Sequence, residues 1–480
     1  MSNQEFEKKE ITKKSGDFAR WYNDVVLKAK LADYAPVRGS MVIRPYGFAL
    51  WGNIQAELDQ RIKESGAENA YFPLLIPYSL LEKEAEHVEG FSPELAVVTH
   101  GGGKELSEPL VVRPTSETVM YPMFSKWIKS WRDLPLKINQ WCNVVRWERR
   151  TYLFLRTLEF LWQEGHTAHV TSEEAEKEAL DRLEMYREFA EDFLALPVIC
   201  GRKSATEKFP GAVTTYAFEA LMPDGKALQC GTSHNLGQNF SKVFDIKFQD
   251  EAGNLRYVFQ TSWGVTTRLI GALVMVHGDD NGLILPPKVA PVQAVIIPIA
   301  SDKVQLRFAR EVSKVLKQEG VRVEIDNREE HTPGWKYNEW ELKGVPVRVE
   351  IGANEVKGGL VTLVRRDTGE KLKVKSEKLK VELERMLGNV QKNLYQKAKK
   401  FLWDNTYEVE NYEEFKKIMF TSRGLIKAYW CGSPKCEAKI KEETKATIRA
   451  LPLKKESVEG ASCVFCGKPA KTPAYFAQAY

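Results

Sequence analysis

A chain of 480 residues with 43% hydrophobic and 28% charged side chains has material for about three domains and lacks any apolar run near the length of a membrane-crossing helix. The segment Met1 to Glu7 has no apolar core of the kind a secretory signal carries, which predicts a cytoplasmic protein, and seven cysteines, an odd number, do not read as a disulfide framework. The net charge of +5 is modest, but 12 Lys plus Arg against 5 Asp plus Glu fall between Val361 and Lys400, a local excess of +7 that leaves the remainder slightly acidic.

In chain order, an amphipathic run from Gly47 to Lys63 predicts a helix and precedes Tyr71 to Pro77, an apolar strand whose prolines suit an edge or a bend. Gly101-Gly102-Gly103-Lys104 lies between apolar runs without the spacing of a nucleotide-binding P-loop and reads as a turn. The polar cluster Arg113-Pro114-Thr115-Ser116-Glu117-Thr118 follows. Next comes Arg146-Trp147-Glu148, a short basic loop, and the return Arg156-x3-Phe160-x3-Glu164. An arginine fork keeps its charge at any working pH and can hold a phosphate beside a carboxylate, whereas a hairpin with surface ion pairs is the bland alternative. His166 and His169 have the look of a metal pair but lack cysteine or carboxylate partners at metal spacing. Lys208-Phe209-Pro210-Gly211 and Gln229-Cys230-Gly231-Thr232-Ser233-His234 come before Thr261 to Leu273, where glycines beside Arg268 would let backbone approach a flat ligand.

The stretch Ile284 to Pro291 closes this pattern, and Val292 to Ile299, a helix through Gly320 and Val321 to Ile325 predict a strand-helix-strand α/β module. Beyond it lie a helix with Glu339 and Glu341, then Lys343 and Arg348; of these Glu339, Lys343 and Arg348 are the candidates for contact with guanine edges of a nucleic acid, with ordinary helix ion pairing as the equal alternative. The basic block suits a polyanion laid along one face, or simply a solvated helix. Near the C-terminus Cys431-x4-Cys436 and, after 26 residues, Cys463-x2-Cys466 form two knuckle-like pairs that fit a tetrahedral structural Zn2+ closed by protein ligands. Cys142, Cys200 and Cys230 read as small packing residues.

The Arg146 to Glu164 layout resembles motif 2 of the class II aminoacyl-tRNA synthetases; Thr261 to Leu273 resembles motif 3, a strand leading into a helix, and Gly47 to Pro77 resembles motif 1, the dimer-forming segment. Combined with Arg113 to Thr118, Gly165 to His169, Lys208 to Gly211 and Gln229 to His234, the chain is similar to the archaeal and eukaryote-like prolyl-tRNA synthetases across essentially its full length. That resemblance implies an α+β catalytic domain with a central antiparallel sheet over 1–286, an α/β anticodon-binding domain over 287–392 and a small α/β zinc-binding domain over 393–480. It implies a homodimer that binds ATP with Mg2+, L-proline and tRNA(Pro), makes prolyl-adenylate and transfers the prolyl group to the tRNA. Arg146 and Arg268 would be catalytic, on the α- and γ-phosphates. Thr115 and Glu117 would take the imino group, with Trp162, Glu164, His166, Phe209, His234, Ser262 and Gly264 around the ring. Glu148, Phe154, Thr157, Gln229 and Thr232 would join the two arginines on ATP, and Phe91, Glu94 and Leu95 would belong to a covering loop. The family's C-terminal domain often ends in a tyrosine near the active site, which Ala479-Tyr480 would allow.

Two features depart from, or specialise, that pattern. Tyr152-Leu153 stands where relatives usually have Arg-Pro, and Leu158 where a polar residue is common, so the motif 2 loop has lost positive charge. Only about 100 residues separate Glu164 from Arg268, too few for the editing domain inserted there in bacterial-type relatives, so mischarged alanine is expected to be cleared by a separate protein.

Overall fold

The computed structural model describes residues 11–85, 95–148, 150–300 and 302–480. Phe91 and Glu94 lie outside the described residues.

Seven strands build the main sheet in the order Glu68–Asn69, Leu136–Val145, Glu159–His169, Phe259–Thr266, Ala227–Gly237, Thr214–Leu221, Ile199–Arg202, and only the first pair is parallel. Side chains alternate across a strand. Gln163, Trp263 and Ser233 therefore turn to one face, where the helix Ser172–Glu188 covers them: Ser233 Oγ donates to Ala179 O at 2.7 Å and Tyr186 OH to Gln163 Oε1 at 2.6 Å. That helix starts where Thr171 and Glu174 form a reciprocal capping box, and it buries Ala175, Ala179, Leu183 and Tyr186 at helical spacing. The opposite face is left to a cavity.

The run predicted over 47–63 is the helix Pro45–Glu64, opened by a proline in its first turn and burying Leu50, Trp51, Ile54, Leu58 and Ile62. The strand expected over 71–77 shrinks to Leu75–Pro77, at the edge of a three-stranded sheet with Lys104–Val112 and Val97–Gly101. Side chains have taken the backbone groups a longer ladder would use: Phe72 N donates to Gln140 Oε1 at 2.5 Å, and Arg113 donates to Phe72 O at 2.7 Å. Gly102 and Gly103, with φ of +59° and +77°, make the tight hairpin turn between Val97–Gly101 and Lys104–Val112.

The second unit is a five-stranded sheet, ordered Val323–Ile325, Ala294–Pro298, Val347–Ile351, Leu360–Arg365, Lys371–Lys375, with its first three strands parallel. The helix Lys303–Gln318 is capped by Asp302 and ends just before Gly320, whose φ of +77° reverses the chain. The last unit is a four-stranded sheet, ordered Thr406–Glu408, Leu425–Trp430, Thr472–Gln478, Ala446–Ala450, with helices Tyr412–Phe420 and Pro434–Thr444. No loop separates these two units at residue 392. The 26-residue helix Leu379–Asp404 runs through that point, burying Leu383, Met386, Leu387, Val390, Leu394 and Ala398 along one stripe. Among the described residues no helix is long and apolar enough to cross a membrane.

Candidate active site

Strand register assembles the site. His166 pairs with Ser262 and Ser262 with His234; one row along, Glu164 pairs with Gly264 and Gly264 with Thr232. Both rows face away from the Ser172–Glu188 helix and form the floor of a cavity of about 380 Å3. Its walls come from separate parts of the chain: Thr115 and Glu117 at the start of the helix Glu117–Trp127, Phe209 from the loop before Thr214–Leu221, and Gln229 from the strand Ala227–Gly237. Glu148, Phe154 and Thr157 come from the turn between Leu136–Val145 and Glu159–His169, and Arg146, Trp162 and Arg268 complete the wall. Every residue expected to be catalytic or to bind the amino acid or nucleotide thus borders one space. Leu95 does not line it.

At the Glu164 end, polar groups hold one another. Ser116 Oγ donates to Glu164 Oε1, Gln140 Nε2 donates to the same oxygen at 2.9 Å, and His166 Nε2 lies 3.2 Å from Glu164 Oε2. Tyr121 OH contacts His166 Nδ1 at 3.0 Å, and Thr115 Oγ1 donates to Glu117. Burial by itself would raise the Glu164 carboxyl, but hydrogen bonding and charge from His166, with Ser116 and Gln140, hold it below its ordinary value. Burial lowers and the Glu164 and Glu117 carboxylates raise the His166 imidazole, which ends above its ordinary value. His234 has no such carboxylate: burial, then the charge of His166, pushes it down to about 3, and Thr215 Oγ1 fixes its Nδ1 at 2.9 Å. Phe209 leans on that ring at 4.8 Å between centroids.

Arg146 rests between aromatic faces, 5.5 Å from the Phe160 centroid and 5.6 Å from that of Trp162. Its Nε donates to Pro114 O at 3.1 Å, and among the described residues its Nη groups make no hydrogen bond. Desolvation lowers the guanidinium, and the nearby Glu117, Glu164 and Glu148 carboxylates oppose that. Arg268, first residue of the helix Arg268–His277, is fixed by Nε to Leu155 O at 3.1 Å and Nη1 to Gln229 O at 3.2 Å. Both arginines therefore spend one edge on backbone carbonyls and keep donors for a ligand. Gly264 keeps the floor low, since a Cβ there would come within 2.8 Å of Gln163 O, whereas Gly231 makes room on the opposite, helix-covered face, where a Cβ would come within 2.5 Å of the Phe218 ring.

Two of the three departures in this loop, Leu153 and Leu158, have a packing reason. Leu153, Phe154, Leu155 and Leu158 are buried, and Tyr22 OH donates to Leu153 O at 2.7 Å, while Tyr152 stays exposed. Phe154 sits in the left-handed region with φ of +61°, inside a turn closed by reciprocal bonds between Tyr152 and Arg156 of 2.7 and 2.9 Å. Glu148 pairs with Arg156 at 2.7 Å. Tyr121 and Thr215 were not singled out by sequence; their roles depend on neighbours brought together by the fold, His166 and His234, that spacing does not reveal.

His166 and His169, three apart on a strand, point to opposite faces and form no metal pair. Among the described residues the one group of three or more metal-binding side chains is Cys431, Cys436, Cys463 and Cys466, with all sulfurs within 4.8 Å of one another. Cys431 lies 3.6 Å from Cys436 and 3.8 Å from Cys466. Those separations are too long for disulfides and match the edges, about 3.8 Å, of a tetrahedron with Zn–S bonds of about 2.3 Å. The backbone N–H of Lys468 draws the Cys466 thiol down to about 7, toward the thiolate a metal needs. Ala479 bridges to Ala227, two residues before Gln229, and so brings the chain terminus to the strand that lines the cavity.

The ion-pair alternative left open for Glu339 and Lys343 describes what is seen. Buried Glu339 contacts Lys30 at 3.1 Å, Arg328 at 3.1 Å and Lys343 at 3.4 Å. Arg348 pairs with Glu350 at 2.8 Å and stacks 4.1 Å from the Tyr337 ring, at the rim of a second cavity of about 520 Å3 that Glu341, Arg365 and Lys371 also line.

Comparison with known proteins gives three family matches: the tRNA synthetase class II core domain (G, H, P, S and T) over residues 99–277, the anticodon binding domain over 293–386 and the prolyl-tRNA synthetase C-terminal domain over 412–480. The proline–tRNA ligase of Natranaerobius thermophilus is 56% identical, covering 100% of this chain and 99% of its own. That of Alkaliphilus oremlandii is 55% identical over 98% of each chain. The crystal structure of prolyl-tRNA synthetase from Cryptosporidium parvum, complexed with halofuginone and AMPPNP, is 44% identical and superposes with a TM-score of 0.94 over 98% of this chain and 99% of that one.

Proposed function

The chain belongs to the prolyl-tRNA synthetase family, and from that premise we propose that its cavity joins L-proline to ATP and hands the product to tRNA(Pro). The proline carboxylate attacks the α-phosphorus, the bond to pyrophosphate breaks, and prolyl-adenylate remains. The 3′-terminal hydroxyl of the tRNA then attacks the prolyl carbonyl and AMP leaves. No covalent enzyme intermediate is required, so the protein contributes alignment and charge neutralisation. Glu117 and Thr115 receive the cationic imino group; Trp162, Phe209, His234, Ser262 and Gly264 shape the ring site over the Glu164–His166 pair. Arg146 spans the carboxylate and the α-phosphate, and Arg268 takes the γ-phosphate. Glu148, Thr157 and Phe154 meet the adenine, with Gln229 and Thr232 on the rest of the nucleotide. Magnesium is proposed to arrive as part of the MgATP substrate, where it would neutralise phosphate oxygens beside Arg146 and Arg268.

The observation that carries this reading is that two arginines, 122 positions apart in the chain, present unspent guanidinium donors to one cavity. Proline-dependent exchange between ATP and pyrophosphate tests it, and exchange driven equally well by threonine or glycine would overturn it.

The residues between Glu164 and Arg268 are used up by the core sheet and its covering helix, and no separate editing domain is present there. A missing methylene in an apolar site gives about 1–3 kcal/mol of discrimination, so alanine is expected to be activated at a measurable rate. Mischarged alanyl-tRNA should persist with the purified chain; rapid deacylation would refute clearance by a separate protein.

The archaeal and eukaryote-like subtype is supported by the extent of the match to the Cryptosporidium parvum structure and by the four-cysteine C-terminal domain. Those cysteines are proposed to hold one structural zinc ion. A homodimer is supported by apolar side chains left exposed around the motif 1 segment, Phe48, Tyr71 and Leu75 among them. Anticodon reading is assigned to the second unit, with Arg348 beside the second cavity and the Glu339–Lys343 pair holding the helix next to it. A cytoplasmic location follows from this activity.

A further inference from the structure

We propose that Glu437 and Lys441, on the helix that carries the zinc ligand Cys436, are positioning residues for the Phe209 wall, so that the C-terminal domain sets how tightly proline binds; this rests on the assignment of Phe209 to the proline site. The loop from Lys203 to Thr214 carries Glu207, Lys208, Phe209 and Pro210 into the cavity. Its far end is tied to the sheet, with Phe209 N donating to Thr215 Oγ1 at 2.9 Å. Its near half, 204–208, makes its side-chain polar contacts beyond the loop with one element only among the described residues, the helix Pro434–Thr444. Ser204 Oγ donates to Glu437 Oε1 at 2.6 Å, and one turn later Lys441 Nζ reaches Glu207 at 3.3 Å.

The tether is buried where it matters. Ser204 is 1% exposed and Glu437 4%, and Glu437 Oε2 has no hydrogen-bond partner among the described residues. A buried carboxylate oxygen left without a partner is destabilising, so a purely structural contact would be better served by a smaller acceptor. The two domains are locked together immediately beside this tether. Arg202 N donates to Leu451 O at 2.9 Å and Leu451 N to Arg202 O at 2.7 Å. Lys203 Nζ donates to Glu219 at 2.6 Å and to Arg449 O at 3.0 Å, while Arg449 closes on both Glu219 oxygens at 2.9 Å. The base of the loop is therefore clamped to the C-terminal domain by a fully paired buried triad, and Glu437 extends the clamp toward Phe209.

Calorimetric titration of the full chain with L-proline, and separately with ATP, tests the proposal. Glu437→Ala is expected to raise the proline Kd about tenfold and Lys441→Ala about twofold, with the ATP Kd and the exchange kcat at saturating proline unchanged. Glu437→Gln keeps an acceptor for Ser204 and should restore wild-type binding. Ser204→Ala removes the donor from the other side and should reproduce Glu437→Ala should that variant fold poorly. Amide hydrogen exchange of the 203–212 peptide should quicken in both weakened variants. An unchanged proline Kd in Glu437→Ala and Ser204→Ala overturns the proposal, as does an equal loss of proline and ATP affinity. Phe209→Ala separates the premises: weaker proline binding there with no effect at Glu437 sinks only the tether, whereas no effect at Phe209 sinks the pocket assignment.

Discussion

A guanidinium is most useful when only part of it is spent, and Arg146 illustrates this: Nε holds Pro114 O, two aromatic faces fix the plane, and the Nη edge is left for a ligand. Arg146→Ala should lower proline-dependent pyrophosphate exchange by about 100- to 1,000-fold while circular dichroism and thermal midpoint stay near wild type, because the charge lost is one the transition state needs. Near-normal exchange would remove it from the mechanism. Arginine in this spacing is legible in sequence because few alternatives give a planar, permanently charged fork. The residues beneath it are less so. Thr215 and Tyr121 matter because they hold His234 and His166, and that relation exists only once strands pair in register.

At the scale of elements, the helix Pro45–Glu64 was legible from the amphipathic run Gly47 to Lys63, and the motif 3 glycines from their place before an arginine. The segment 71–77 was not, since its hydrophobicity suits a strand but its backbone groups are taken by Gln140 and Arg113 from distant positions. Gly165 gives a test of how closely the main sheet packs on its covering layer: a Cβ there would be driven into the Trp263 ring. Gly165→Ala should cost about 1–3 kcal/mol, measured as a lowered thermal midpoint, and a neutral result would mean that Trp263 can turn aside. The cysteine spacing predicts a metal clasp for the C-terminal sheet. One zinc per chain should be found by elemental analysis, and its removal by a chelator, or Cys463→Ser, should lower the unfolding temperature of residues 406–480 by about 10 °C or more, followed by hydrogen exchange of that region.

Across the molecule, three histidines are held neutral by burial. His234 is pushed down to about 3, His169 and His277 to about 4, and His277 spends Nε2 on Leu194 O at 3.0 Å. An unfolded chain would take up these protons near pH 6.5, whereas the folded one does so only far lower, so stability is complete above about 6.5 and is lost as pH falls through the interval down to about 4. Chemical denaturation between pH 7 and 5 should show unfolding free energy falling by up to about 1.4 kcal/mol per pH unit for each such histidine, and His277→Gln should flatten that slope. The three-part organisation was visible in composition and motif order. At residue 392 the helix Leu379–Asp404 carries an unbroken apolar stripe, which leaves no linker composition to read there.

The helix Leu379–Asp404 carries a mechanical consequence. At 1.5 Å per residue its 26 residues make a rod of about 39 Å, and Val390 and Leu394 at its middle nestle against Ala195 and Ile284. A rod seated at its midpoint is braced against the main domain rather than hanging between the two units it joins. Seated there, the rod fixes how far the units at its two ends stand from their common support on the main domain.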